Sequence, residues 1–491
     1  MDLFSRREFL ERGAILSAAT AALGSGAVAA EKPVATAARG AGDRLRVAVV
    51  GVRSRGMSHV GGFLSKSTNA EITVVCDCDK DVIGKAMTSI EKAQGKAPQF
   101  EQDIRKVVED KNIDVISIAT PNHWHGLMAI WAMQNGKDVY VEKPASHNIR
   151  EGGLMRAAAR KYKRICQVGT QSRSNPAMQK AVAAVQSGMI GKVDVAIGLC
   201  YKNRPSIGKV SGPQAPPPGM DYDLWCGPAP MTPPHRKTGN GTVHYDWHWV
   251  WDNGNGDLGN QGVHQMDVAR WGLGKGFPTG VLSVGGRFGY IDDGQTANTQ
   301  VSLFDYGDAK MVFEVRGLRS DKYKGADVGV IWLGTEGMVV CPNYYSSGIV
   351  YDKAGKEVAK YTGGNDQNHF DNFVKAVRSR KPEDLTSEIA EGHISAALCH
   401  LANISYRLGA EGPLDSGSAG FGGCKEAADA FDRMKAHLQA NKVDPSTVVA
   451  HAGPKLTFDP KSERFTGDGA EKANVLLGRE YRKGFEVKDV V

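Results

Sequence analysis

The sequence predicts an α/β chain: a doubly wound parallel sheet, then an α+β domain with a large, mostly antiparallel open sheet. Three observations carry that reading. Short apolar runs alternate with amphipathic stretches from Leu45 to Gln167. A glycine-bearing turn follows the first of those runs. Beyond residue 168 the β-type runs lengthen and are separated by Gly-rich turns.

Leu45–Val50, Ile72–Cys76, Val115–Ala119, Val139–Val141 and Ile165–Val168 read as buried strands. Helical periodicity near Met57–Ser65, Lys80–Lys92, Ile104–Glu109, Leu127–Asn135 and Glu151–Lys163 supplies the crossovers that parallel strands require. In the second region Val193–Cys200, Gly280–Phe288, Asn298–Phe304, Lys310–Arg316 and Asp327–Thr335 read as strands, close enough to pair antiparallel. The Pro/Gly-crowded stretch from Arg204 to Thr242 reads as a long ordered loop, a lid or substrate-shaping segment. After Gly409 a Gly/Ser-rich linker leads to a helical run at Lys425–Ala440 and an irregular tail. The expected organisation is a signal at 1–29, a linker at 30–43, a nucleotide-binding domain at 44–167, a substrate and oligomerisation domain at 168–408, and a C-terminal extension at 409–491.

Composition narrows the function. The chain has 491 residues, 41% hydrophobic and 23% charged, with a net charge of +7 from 61 basic and 54 acidic side chains. No dense Lys/Arg block interleaved with aromatics marks a nucleic-acid surface. Ser5-Arg6-Arg7-Glu8-Phe9-Leu10 has the form of a twin-arginine export signal. A weakly apolar run from Gly13 to Gly26 and small residues at Ala27-Val28-Ala29 follow it. That run is shorter than the roughly 20 apolar residues of a membrane span, so the expectation is an exported, periplasmic protein with no stable membrane insertion. The eight cysteines show no Cys-x-x-Cys pair and no zinc spacing, and read as free, buried thiols.

The turn Gly51-Val52-Arg53-Ser54-Arg55-Gly56 lies between a strand and a helix, where backbone N–H groups attract phosphate. The Rossmann fingerprint asks for Gly at its second position, where this chain has Arg53; a guanidinium there can itself meet phosphate. Asp77, about twenty residues on, fits the carboxylate that accepts from ribose hydroxyls and favours NAD over NADP. Arg53 and Arg55 keep NADP as the minority reading. Thr120-Pro121-Asn122-His123-Trp124-His125 follows the next central strand, with Thr120, Pro121, Asn122 and His125 counted as the wall around the nicotinamide half. Glu142-Lys143-Pro144 follows the run Lys137–Val141 and faces the same crevice. A lysine there can shuttle a proton if burial or nearby positive charge lowers its pKa.

His244-Tyr245-Asp246-Trp247-His248-Trp249-Val250-Trp251-Asp252 concentrates aromatic rings that suit the apolar faces of sugars, with Tyr245, Trp247, His248 and Trp251 as candidate contacts. Packed core aromatics are the alternative. His244 and His248 have the i, i+4 spacing of a metal pair on a helix, but the glutamate of the usual zinc motif is missing; no metal is assigned.

These features resemble the Gfo/Idh/MocA (glucose–fructose oxidoreductase/inositol dehydrogenase) family. The resemblance rests on the glycine turn, Thr120-Pro121, Glu142-Lys143-Pro144 and the segment Gly256–Asp267, and spans Leu45 to roughly Leu408. It implies catalytic roles for Lys143, Asn260 and His264. Asn260 departs from the family's usual carboxylate and cannot take a proton, which shifts acid/base work to His264 and Lys143. Asp267, at i+3 from His264, is expected as an orienter or structural partner and is also counted among the substrate contacts. The resemblance further implies a homo-oligomer, dimer or tetramer, packed through the second domain's sheet. The function expected is an exported oxidoreductase acting on a sugar, polyol or glycoside with tightly held NAD. The alternatives are NAD-dependent glycoside cleavage and a non-catalytic sugar-binding protein.

Overall fold

A computed structural model describes residues 42–238, 242–343, 347–488 and 490. The expected signal at 1–29 and most of the linker at 30–43 lie outside the described residues.

The first sheet is built from β1 (Leu45–Val50), β2 (Ala70–Cys76), β3 (Gln99–Glu101), β4 (Val115–Ile118), β5 (Asp138–Val141) and β6 (Cys166–Val168). Its order is β3-β2-β1-β4-β5-β6, and every pair is parallel. Strand order therefore reverses between β1 and β4, which opens a crevice at their carboxyl ends. The helices that follow the strands are α1 (Arg55–Leu64), α2 (Gly84–Gln94), α3 (Ile104–Glu109), α4 (Asn122–Gln134) and α5 (Ile149–Lys161). Strand β3 has no counterpart among the expected strands: it is three residues long, exposed at Gln99 and Phe100, and too short for alternation to show.

Alternation along β1 sends Val47 and Val49 to one face of the sheet and Ala48 and Val50 to the other. The Ala48 face packs on α3, α4 and α5 through residues such as Val107, Leu127, Ile130 and Met155. The Val47 face packs on Phe63 of α1 and on Phe370 and Phe373, which come from much later in the chain. Phe370 stacks on Tyr140 at 4.9 Å and meets Phe63 edge-on at 5.3 Å. Aromatic contacts of this kind add about 0.5–1.5 kcal/mol each beyond area burial.

The second domain begins with α6 (Pro176–Gln186) and β7 (Val193–Tyr201), then the long loop with its short helix α7 (Tyr222–Cys226). After it come α8 (Val263–Leu273), β8 (Gly280–Gly286), β9 (Thr299–Asp305), β10 (Lys310–Arg316), β11 (Val330–Gly334), β12 (Gly337–Cys341), β13 (Ser347–Asp352) and β14 (Glu357–Thr362). The helix α9 (Gln367–Ser379) returns to the first sheet and carries Phe370, and α10 (Ile389–Arg407) packs on α5 and α8. The second sheet runs β14-β13-β12-β11-β7-β10-β9-β8, with antiparallel pairs except the parallel β7–β10.

The helix expected at Lys425–Ala440 forms with those bounds, but the residues after it are not an irregular tail, and the expected linker before it carries a strand and a 3₁₀ turn, Leu414–Phe421. Residues beyond 409 form β15 (Ala410–Pro413), α11 (Lys425–Ala440), β16 (Val449–Ala452), β17 (Leu456–Asp459), β18 (Arg464–Thr466) and α12 (Ala470–Val475). Strands β16 and β17 pair with β8 and extend the second sheet. Residues 414–438 cover one face of its central strands: Leu414, Phe421, Phe431, Met434 and Leu438 cluster with Ile197, Leu199, Val284, Val301 and Val312. That is the sheet face expected to carry self-association. The run was hard to read from sequence because its strands are three or four residues long, below the length at which alternation is visible.

Candidate active site at the carboxyl ends of the parallel strands

The crevice above β1 and β4 is a cleft lined by Gly51, Arg53, Ser54 and Arg55 of the glycine turn, by residues 76–78, 119–122, 124–125 and 142–143, and by Leu224, Trp225, His244, Tyr245, Trp247 and Asn260 from the second domain.

The turn is held by close backbone packing. Gly51 has φ +81°, and a Cβ on it would sit 2.8 Å from the Ala119 carbonyl oxygen; a Cβ on Gly56 would lie 1.7 Å from the Gly51 carbonyl oxygen. Both positions therefore require glycine. Arg53 and Ser54 are exposed and line the cleft. Asp77 follows β2, and its carboxylate accepts from the backbone N–H of Val52 at 2.9 Å and of Asp79 at 3.1 Å. Burial raises its pKa to about 6, partly offset by those two donors. The residues present fit a dinucleotide: a turn open to phosphate, a helix N-terminus at α1, and a half-buried carboxylate beside them.

Arg55 has another role than a phosphate contact. Its Nε donates to Glu142 Oε1 at 2.9 Å and its Nη1 pairs with Asp366 at 2.7 Å. Glu142, 4% exposed, also meets His59 Nε2 at 3.2 Å and accepts from Gln171 Nε2 at 2.9 Å. Burial pushes the Glu142 pKa up, but Arg55 and His59 outweigh it and hold the carboxyl well below its usual range. Glu142 lines the cleft as an anchored anion whose donors come from the protein.

Lys143 is half-buried at the cleft wall, and its peptide bond to Pro144 is cis. Its Nζ donates to the backbone carbonyl of Asn260 at 2.8 Å. Burial lowers its pKa, with further lowering from the positive charges of Arg55, Lys202 and Arg204 against the opposing pull of Glu142. This is the environment in which an ammonium gives up its proton more readily. Lys202 donates to Gln261 Oε1 at 2.9 Å, and Arg204 forms a buried pair with Asp257 at 2.6 Å while its Nη1 donates to Tyr245 Oη at 2.6 Å. Lys202, Arg204 and Asp257 were not picked out from sequence; their signal is charge on an otherwise apolar strand end, at Tyr201-Lys202-Asn203-Arg204.

Thr120, Pro121, Asn122 and His125 all line the cleft. His125 is buried between two carbonyl oxygens, Pro144 at 2.7 Å and Thr120 at 2.8 Å, which ties the Thr-Pro turn to the Lys143-Pro144 turn. Asn122 Nδ2 donates to Asn255 Oδ1 at 3.0 Å. Trp124 also lines the cleft, and its Nε1 donates to the carbonyls of Leu224 and Trp225 on α7, which brings the long loop over the cofactor crevice. From beyond residue 478, Arg482 fastens the same loop: Nε donates to the Gly227 carbonyl at 2.7 Å and Nη1 pairs with Asp223 at 2.7 Å.

The second half of the site divides. Asn260 stands in a π-helical turn, Leu258–Gly262, and faces the cleft beside Lys143. His264 is one turn further on, 5% exposed and outside the cleft lining. Burial, then the charge of Lys143, holds its pKa well below the usual imidazole value, so at neutral pH it is uncharged. Tyr245 and Trp247 line the cleft, and Tyr245 is 44% exposed. His248 does not: it is wholly buried, with Nδ1 2.6 Å from the Tyr245 carbonyl. Trp251 packs against Tyr406 and the Arg407 guanidinium instead.

Asp267 is corrected as a substrate contact. It is fully buried, pairs with Arg173 at 2.8 Å and accepts from Ser395 Oγ at 2.6 Å, which makes it part of the scaffold between α8 and α10. His244 and His248 stand on short 3₁₀ turns, Thr242–His244 and Asp246–Trp249, where the i, i+4 helical face does not form. His244 instead contacts Asp79 at 2.9 Å. All eight cysteines are free.

The comparisons with known proteins agree with this geometry. The family model described as "Oxidoreductase family, NAD-binding Rossmann fold" matches residues 45–170, and "Oxidoreductase family, C-terminal alpha/beta domain" matches residues 175–437. Among curated relatives, glycosyl hydrolase family 109 protein 2 of Shewanella sp. (strain ANA-3) is 32% identical over 166 residues, 31% of this chain and 36% of the relative. The scyllo-inositol 2-dehydrogenase (NAD(+)) of Bacillus subtilis (strain 168) is 34% identical over 152 residues, 30% of this chain and 42% of the relative. The chain thus spans well under half the length of these curated relatives. A solved structure of the WlbA dehydrogenase from Bordetella pertussis, in complex with NADH and UDP-GlcNAcA, matches with a TM-score of 0.54 at 20% identity. The match covers 74% of this chain and 97% of that one, a likeness of fold. The chain belongs to the Gfo/Idh/MocA family of oxidoreductases, and its first domain is the family's NAD-binding Rossmann fold.

Proposed function

We propose that this protein is an exported, NAD-dependent oxidoreductase acting on a hydroxyl or carbonyl of a sugar, polyol or glycoside. The observation that carries the reading is Lys143, a lysine with lowered pKa at the end of β5, beside Asn260 and opposite Tyr245 and Trp247 in the cofactor cleft. The glycine turn and Asp77 would hold the adenosine diphosphate half of NAD, and Asp77 favours NAD over its 2′-phosphorylated form. Bound NAD supplies a hydride acceptor and donor. Lys143 holds or takes the hydroxyl proton at Nζ. Asn260 orients the same hydroxyl as a neutral amide, and uncharged His264 supports Lys143 from behind the wall. Tyr245 and Trp247 offer ring faces to sugar C–H groups.

A second reading is favoured by the family 109 glycosyl hydrolases among the curated relatives. Transient oxidation of a ring hydroxyl acidifies the neighbouring C–H. Loss of that proton lets the glycosidic bond open before the hydroxyl is restored. Lys143 serves both outcomes: in cleavage NAD ends as it began, and in net oxidation of one sugar the bound NADH is reoxidised by reducing the carbonyl of a second sugar. The twin-arginine signature at Ser5–Leu10 motivates export, where free dinucleotide is scarce, and so motivates tight retention. A homo-oligomer packed through the second sheet is part of the same proposal, and with residues 414–438 packed over the central strands it would use the remainder of that sheet or another surface.

The exported protein should be denatured and its released small molecules identified by mass spectrometry. Near-stoichiometric NAD(H) is expected, and a protein that arrives empty and binds neither dinucleotide sinks both readings. Incubation with a panel of glycosides then separates them. Oxidised sugar accumulating means net dehydrogenation; released aglycone without oxidised product means cleavage.

A further inference from the structure

A second pocket, of about 520 Å³, lies between α11 and the loop after β10 and shares no lining residue with the cofactor cleft. Its floor is Arg316, Arg433 and His437; its rim carries the exposed Arg319 and Lys322. The exposed carboxylate of Asp321 also lines it, and Lys322 reaches Asp327 at 3.4 Å.

The floor is held in place. Fully buried Glu314 pairs with Arg316 Nη2 at 2.8 Å and Arg433 Nη2 at 2.6 Å, and accepts from Tyr201 Oη at 2.8 Å. Arg433 lies 4.0 Å over the Tyr323 ring and Arg316 lies 4.2 Å over Tyr201. Three nitrogens remain. Arg316 Nε, Arg433 Nε and His437 Nε2 are buried and have no hydrogen-bond partner. The two guanidinium nitrogens are obligate donors, and two further cations, Arg319 and Lys322, stand above them.

We propose that this pocket binds a tetrahedral oxyanion, sulfate or phosphate, free or as an ester on a larger molecule. Unsatisfied buried donors are unfavourable, and preorganised guanidinium groups are the usual partners of such anions. The anion enters over Arg319 and Lys322 and meets the guanidinium floor of Arg316 and Arg433.

The test uses the full chain saturated with NAD, so that the cofactor's phosphate site is filled. Melting is followed in millimolar sodium sulfate, sodium phosphate or glucose 6-phosphate, against sodium chloride at equal ionic strength. Sulfate and phosphate are expected to raise Tm by about 2 °C or more over chloride. Arg433→Gln should abolish that increment. Because it leaves Glu314 short of a partner, the double variant Arg319→Ala/Lys322→Ala, altered only at exposed positions, provides the second arm and should lose at least half of it. A larger increment from glucose 6-phosphate assigns an ester ligand, and an equal one assigns the free anion. No anion-specific increment, or one unchanged in the double variant, overturns the proposal.

Discussion

The two halves of the cofactor cleft were equally rich in motif residues, yet the structure treats them differently. In the first domain the expected residues Gly51, Arg53, Ser54, Arg55, Asp77, Thr120, Pro121, Asn122, His125, Glu142 and Lys143 line the cleft, and Gly56 alone stands behind it, packed on the Gly51 carbonyl. In the second domain only Tyr245, Trp247 and Asn260 do, while His248, Trp251, His264 and Asp267 stand behind the wall or away from it. The difference has a topological cause. A residue just past a strand of a parallel sheet is placed at the crevice by the strand order itself. A residue on a helix or a 3₁₀ turn is placed by the rotation of that element, which depends on what packs behind it. For α8 the controlling contact is the Asp267–Arg173 pair together with Ser395, from segments far apart in sequence.

Replacing one residue from each side sharpens the contrast. Lys143→Ala should cost about a thousandfold in turnover while leaving NAD affinity and melting nearly unchanged, as measured by kcat and by titration with NAD. A loss under tenfold would remove Lys143 from the chemistry. Asp267→Asn should act the other way, lowering unfolding stability by about 3 kcal/mol because the buried Arg173 loses its buried counter-charge and keeps only the half-exposed Glu391 at 3.1 Å. Urea unfolding measures it, and an Asp267→Asn protein as stable as the parent would return Asp267 to the cleft side of the comparison. Next in size is Arg482→Ala, which frees α7 from its hydrogen bonds to the Gly227 carbonyl and Asp223. About tenfold weaker NAD binding is expected, whereas unchanged affinity would make that clamp irrelevant to the cleft.

The smallest effect is a pH dependence. Asp77 has its pKa raised to about 6 by burial, above the roughly 3.9 of an unfolded aspartate. A raised carboxyl binds its proton more tightly when folded, so its contribution to stability falls as pH rises from about 4 to about 6 and is level above that. Glu142 and Asp257, held low by Arg55 and Arg204 against the opposing effect of burial, act with the opposite sign at more acid pH. The difference in unfolding free energy between the parent and Asp77→Asn, followed from pH 4 to pH 7, isolates the Asp77 term. A flat difference across that window would refute the assignment.

By itself the sequence determined the parallel sheet, its crevice and the strand-end half of the site. Period-two apolar runs, a turn that tolerates only glycine at Gly51 and Gly56, and a lysine just past β5 are local signals, and local chemistry enforces them. The tertiary structure decided the rest. It set the rotation of α8 that buries His264 and Asp267, and returned α9 to cover the first sheet with Phe370. It also folded residues beyond 409 onto the second sheet, and built the basic pocket from Arg316 and Arg433 around a single buried glutamate. Each of these rests on contacts between segments far apart in the chain, where side-chain packing and buried charge pairing outweigh any preference written in a short stretch of residues.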